Sequence, residues 1–148
     1  MRVEGTHHLP APRERVWALL NDPAVLARVT PGVKELHPAG TDTYGATIEL
    51  SVGPVKGTYA GQVSIAEKTP PERMTLRVEG GGRPGTIRAT GELHLEEQDG
   101  RTVVRYIGDA QVTGLVASVG HRLMSGVAKQ MAGEFFKALE GELNRNPA

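Results

Sequence analysis

The apolar residues change their spacing once along the chain, near residue 115, and that change dictates the fold class. Before it, apolar positions recur every second residue. Tyr44, Ala46, Ile48, Leu50 and Val52 share one parity, and Thr47, Glu49 and Ser51 take the other. Tyr59, Gly61, Val63 and Ile65 alternate with Thr58, Gln62 and Ser64, and Met74, Leu76 and Val78 with Arg73, Thr75 and Arg77. Ile87, Ala89, Gly91, Leu93 and Leu95 repeat the pattern, as do Val104, Tyr106, Ala110 and Val112. Period-two patterning marks strands with one buried face. After residue 115 the apolar positions fall four apart: Val119, Leu123, Val127, Met131, Phe135, Leu139 and Leu143. That spacing predicts one long amphipathic helix from about Leu115 to Leu143.

Turn signals separate the strands. Gly53-Pro54, Pro70-Pro71, Gly80 to Gly85 and Asp99-Gly100 stand between successive runs, the last a strong hairpin word. Residues 2–9 read as a first strand and a segment near 33–39, around Leu36, as a second. Between them lie two short helices. Pro12 suits the first turn of a helix that places Val16, Trp17 and Leu20 on one face. Asp22 caps a second helix that starts at Pro23 and carries Val25, Leu26 and Val29. Trp17 reads as core. The order is strand, two short helices, six strands, long helix. It predicts an α+β fold: a curved, seven-stranded antiparallel sheet with the C-terminal helix across its concave face.

Composition narrows the function classes. A length of 148 residues fits one domain, 1–148. Seventeen basic residues balance 17 acidic ones, and they balance within each half as well, so no electrostatic footprint for nucleic acid is expected. No Cys is present, which excludes disulfides and thiolate chemistry. No apolar run reaches the roughly 20 residues of a membrane span, and the N-terminus has no signal-peptide core. A cytoplasmic protein is expected.

The five histidines, His7, His8, His37, His94 and His121, show no metal-ligand spacing. The serines lack a nucleophile elbow. Glu49, Glu92, Glu96 and Asp109 all take the polar parity, so no inward carboxylate pair is expected for acid–base work. Neither catalytic nor metal-binding residues are assigned. Gly80-Gly81-Gly82-Arg83-Pro84-Gly85 opens onto a strand, not a helix, so it reads as a mobile hairpin tip and not as a phosphate loop. The helix-region glycines, Gly114, Gly120, Gly126, Gly133 and Gly141, fit either close approach to the sheet or a kink that gates it.

Four words in order carry a family resemblance. They are Val16-Trp17-Ala18-Leu19-Leu20-Asn21-Asp22-Pro23, Pro31-Gly32-Val33, Val52-Gly53-Pro54-Val55, and Tyr106-Ile107-Gly108-Asp109-Ala110 with Gly114-Leu115. With the element order, the chain resembles the CoxG family, named for the G component of carbon monoxide dehydrogenase, in the START-like (SRPBCC) superfamily of helix-grip folds. The resemblance implies a hydrophobic cavity between sheet and helix, a quinone or lipid-like ligand, and association with a molybdenum hydroxylase-type oxidoreductase. It implies no covalently held cofactor. It leaves peripheral membrane contact open, although the sequence ends five residues past Leu143, at Ala148, so no anchoring tail is expected. It also leaves open a small cyclase or dehydratase, or an assembly factor acting through its surface.

The inward parity mixes large residues with very small ones. Small residues facing a helix either let it approach or leave a void, and an apolar void is the usual form of a small-molecule site. The expected ligand-binding residues on the strands are Tyr44, Ile48, Tyr59, Met74, Leu76, Ile87, Ala89, Gly91 and Tyr106. On the helix they are Val119, Leu123, Met124 and Val127. With no inward Lys or Arg, the ligand is expected to be neutral, because burying an unpaired anion is very costly.

Overall fold

The computed structural model describes residues 2–51, 56–114, 117 and 120–145. Strand β1 (Arg2–Leu9) is followed by α1 (Arg13–Leu20) and α2 (Pro23–Val29). Six strands come next: β2 (Val33–Gly40), β3 (Thr43–Leu50), β4 (Gly57–Thr69), β5 (Arg73–Gly82), β6 (Gly85–Gln98) and β7 (Arg101–Thr113). Helix α3 (His121–Arg145) follows β7. The strands form one antiparallel sheet in the order β1-β7-β6-β5-β4-β3-β2. The sheet curves around α3, which lies across its concave face.

Local chemistry explains the element ends. Asp22 caps α2 by accepting from the Ala24 N–H at 2.9 Å. Asp99 and Gly100 take positive φ, 53° and 77°, the geometry of a tight two-residue hairpin between β6 and β7. At Gly32, φ is +81° and an added Cβ would lie 2.5 Å from the Glu49 carbonyl oxygen. Only glycine fits that turn from α2 into β2.

Helix α3 starts later than the spacing predicts. Gly114 (φ 77°) and Gly120 (φ 100°) take backbone conformations that L-residues avoid. A helix cannot pass through them, and α3 begins at His121 with 25 residues, about 37 Å. The predicted start at Leu115 lies outside the described residues. Gly114 does approach the sheet closely, since an added Cβ would lie 2.7 Å from the Gly85 Cα, but at Gly126, Gly133 and Gly141 it would meet nothing within 4 Å. Nothing in the structure explains these three glycines.

The glycine-rich stretch 80–85 forms the β5–β6 hairpin, turning at residues 83–84. Its residues continue β5 and open β6, with Gly82 paired to Gly85. Pro84 packs on Gly57, where a Cβ would sit 2.5 Å from its ring, and Gly85 packs on Gly114.

The interior divides in two. One cluster lies under α1, α2 and the C-terminal half of α3, with Val16, Leu20, Leu26, Met74, Leu139 and Leu143. Trp17 is partly buried against it. The other joins Ala46, Ile48, Leu50, Tyr59 and Val63 to Met124 and Val127 near the start of α3.

Candidate functional site

A cavity of about 270 Å³ lies between the sheet and α3. Voids larger than a water molecule are few in close-packed interiors, so this volume is not ordinary packing. Its cause lies in the register of β6 and β7. Ala89 faces Ala110 and, two residues on, Gly91 faces Gly108. All four line the cavity. A Cβ on Gly91 would meet nothing within 4 Å. Across the space, α3 presents Ala128 and Ala132 beside larger residues. Small faces small on both sides, and at that point the layers leave a gap.

Nine expected residues surround this space: Ile48, Tyr59, Leu76, Ile87, Ala89, Gly91, Tyr106, Met124 and Val127. Three others do not. Tyr44 shares the inward face, but Val63, fully buried, stands between it and the cavity in the same cross-strand row. Met74 is fully buried in the cluster beneath the short helices, with Asn21 Nδ2 at 3.8 Å from its sulfur. Leu123 is 54% exposed. Each four-residue step on a helix turns the apolar line by about 40°. Leu123 is therefore about 120° around α3 from Phe135, whereas Met124 is within about 20° of it. Met124 takes the place that the four-residue line assigns to Leu123. Val119 and the side chain of His121 lie outside the described residues, as do residues 52–55 of the third family word.

The spacing does not single out Phe136, Ala128, Ala132 or Thr30, yet all four line the cavity. Phe136 and the alanines sit off the four-residue line, where a full i, i+3, i+4 template finds them. Thr30, a helix-capping threonine, carries no comparable signal.

Aromatic contacts frame the β1 edge. The Phe136 ring stacks on His7, with centroids 4.4 Å apart, and lies 5.1 Å from Tyr106. Gly5 pairs with Tyr106 across β1 and β7, and a Cβ there would lie 2.8 Å from the tyrosine oxygen. Gly5 thus lets the Tyr106 ring lie over the strand. Desolvation lowers the His7 pKa below its usual value; Glu140 opposes this and His8 reinforces it. Tyr59 is almost wholly buried, and burial raises its hydroxyl pKa. An added Cβ on Gly80 would stand 3.2 Å from the Tyr59 Cβ, so the glycine makes room for that ring.

The walls are overwhelmingly apolar. Among the described residues, no Lys, Arg, His or Glu lines the cavity, and Asp109 is the charged residue in its lining. No group of three or more metal-ligating side chains occurs among the described residues. Among them, no helix is long and apolar enough to cross a membrane. An apolar space between a curved antiparallel sheet and one long C-terminal helix defines a helix-grip, START-like fold.

Residues 5–144 match the family model for CoxG, the G component of carbon monoxide dehydrogenase, and the chain belongs to that family. A conserved protein from Geobacillus kaustophilus has a similar crystal structure, with 34% sequence identity and a TM-score of 0.93 over 98% of this chain and 96% of that one. Two more distant structures share the fold. A START superfamily protein from Mycobacterium smegmatis has 13% identity and a TM-score of 0.77, covering 97% of each chain. The Zhui aromatase/cyclase from Streptomyces sp. R1128 has 17% identity and a TM-score of 0.73, covering 100% of this chain and 96% of its own. No curated protein matches the chain in sequence.

Proposed function

We infer that this protein is a carrier or binding module that holds one neutral, largely apolar small molecule between the sheet and α3. A quinone with an apolar tail is the ligand class we favour, and a carbon monoxide dehydrogenase-type oxidoreductase the partner it serves. The supporting observation is the cavity of about 270 Å³, whose lining among the described residues offers no cationic side chain. Burying apolar surface favours binding by about 25 cal/mol per Å². An anion in the same place would lose its hydration without gaining a partner. Family membership supports the oxidoreductase link. The polyketide-cyclase alternative rests on likeness of fold alone, and fold does not carry function.

Binding of a short-tailed menaquinone, palmitate and ATP, measured side by side by calorimetry, tests this reading. The quinone is expected to bind well and both anions poorly. Preference for palmitate or ATP would overturn it.

A further inference from the structure

Thr30 closes α2 and lines the cavity beside Pro31. Its backbone is fully used. The N–H donates to the Leu26 carbonyl at 3.0 Å, and the carbonyl accepts from the Val33 N–H at 3.2 Å. Its hydroxyl is not used: Oγ1 is shielded from solvent and has no hydrogen-bond partner among the described residues. Shielded hydroxyls almost always find a partner, so this one needs an explanation. The adjoining chain supplies none. Pro31 has no N–H to donate, and the Gly32 carbonyl is taken by the Glu49 N–H at 2.8 Å.

We propose that Thr30 is the residue that selects for oxygen in the bound molecule: its hydroxyl bonds a carbonyl or hydroxyl oxygen and sets the ligand's polar end at the α2–β2 end of the cavity. This rests on the reading of the cavity as a hydrophobic-ligand site. A threonine hydroxyl offers one donor and two lone pairs, so it serves either kind of oxygen. A turn of about 120° about Cα–Cβ, between staggered rotamers, carries Oγ1 to the position of the methyl group and the methyl to that of the Cβ hydrogen. The hydroxyl can therefore turn toward the cavity without moving backbone or breaking a bond to the protein. The Tyr106 hydroxyl does not duplicate it, since that ring lies over Gly5 toward the β1 edge, opposite the β2 edge in the strand order. A buried polar group that one ligand satisfies and its analogue leaves unpaired is a strong discriminator.

Two probes of like shape separate this role from general apolar binding: 2-methyl-1,4-naphthoquinone and 2-methylnaphthalene. The chain has no Cys, so no thiol can capture the quinone. Both are titrated calorimetrically into the wild type, Thr30→Val and Thr30→Ser. The ratio of quinone to hydrocarbon affinity is expected to fall about tenfold in Thr30→Val and to stay within about twofold in Thr30→Ser. The empty Thr30→Val protein is expected to melt no lower than the wild type, because the substitution removes an unpaired hydroxyl. An unchanged ratio in Thr30→Val would overturn the proposal while leaving the cavity reading in place. Failure of the wild type to bind either probe would overturn the cavity reading and the proposal with it. Where Thr30→Val does not fold, an unchanged ratio in Thr30→Ala would overturn the proposal. Thr30→Ala would then carry the binding comparison, with the same tenfold fall expected.

Discussion

Gly91 and Gly108 are direct partners across β6 and β7, and both open onto the cavity. Their row continues to Val3 on β1 and Leu76 on β5, so the sheet goes from a large side chain to none, twice, and back to a large one. The Ala89–Ala110 pair stands next to them. Two adjacent rows of minimal side chains, one of alanines and one of glycines, under a helix with Ala128 and Ala132 leave a space that apolar packing would otherwise close.

Gly91 should therefore tolerate a side chain. A strand-interior glycine is worth about 0.5–1 kcal/mol less than alanine, and its Cβ would meet nothing within 4 Å. Gly91→Ala is expected to raise stability by about that amount in urea unfolding. Gly91→Leu should fold with little loss and retain less quinone. A loss of about 1–3 kcal/mol, the usual cost of overpacking, would mean that the space is already filled.

Gly61 shares the inward parity but behaves oppositely. A Cβ there would collide with the Glu79 backbone carbonyl of the neighbouring strand. Gly61→Ala should cost about 3 kcal/mol or more, since backbone must move to admit it. Thermal melting of Gly61→Ala beside Gly91→Ala checks the contrast; equal melting points would contradict it.

Arg28 and Glu142 tie α2 to α3. The guanidinium Nε and Nη2 both lie 2.5 Å from one carboxylate oxygen. Glu142 is buried, with Arg145 more distant at 3.9 Å. Arg28 is half exposed, which limits the effect. Arg28→Ala should destabilise by about 1–2 kcal/mol, largely by leaving the carboxylate short of a partner. A double-mutant cycle with Glu142→Ala should recover at least about 0.5 kcal/mol of coupling.

Stability should fall below neutral pH because of His7. Burial against Phe136 lowers its pKa in the folded state, so the unfolded chain binds the proton more tightly. The contribution is fully present above the unfolded value of about 6.5. It is lost as the pH drops from there through the folded pKa. His7→Phe keeps a ring on Phe136 and removes the titration. Its melting temperature should vary less between pH 7.5 and 5.5 than that of the wild type, and equal slopes would count against the assignment.

The sheet is legible in the sequence because strand signals are local. Parity, the proline pairs and Asp99-Gly100 each act within a few residues, and the hairpins follow from them. The site is legible only as a face. Parity places Tyr44 and Met74 inward correctly, but their position along the strand relative to α1, α2 and Val63 decides that neither meets the cavity. Leu123 misleads because a four-residue line drifts around a helix, and the start of α3 because two glycines with positive φ interrupt the pattern. Thr30 emerges only once the hydrogen bonds of its surroundings are known.

Organic extraction of the protein purified from its own host, with native mass spectrometry before and after, identifies what the cavity holds. A neutral, apolar molecule carrying one or two oxygens should leave the protein in stoichiometric amount, and the mass of the folded chain should drop by its mass. A stoichiometric fatty acid, phosphate ester or nucleotide in the extract would contradict the account.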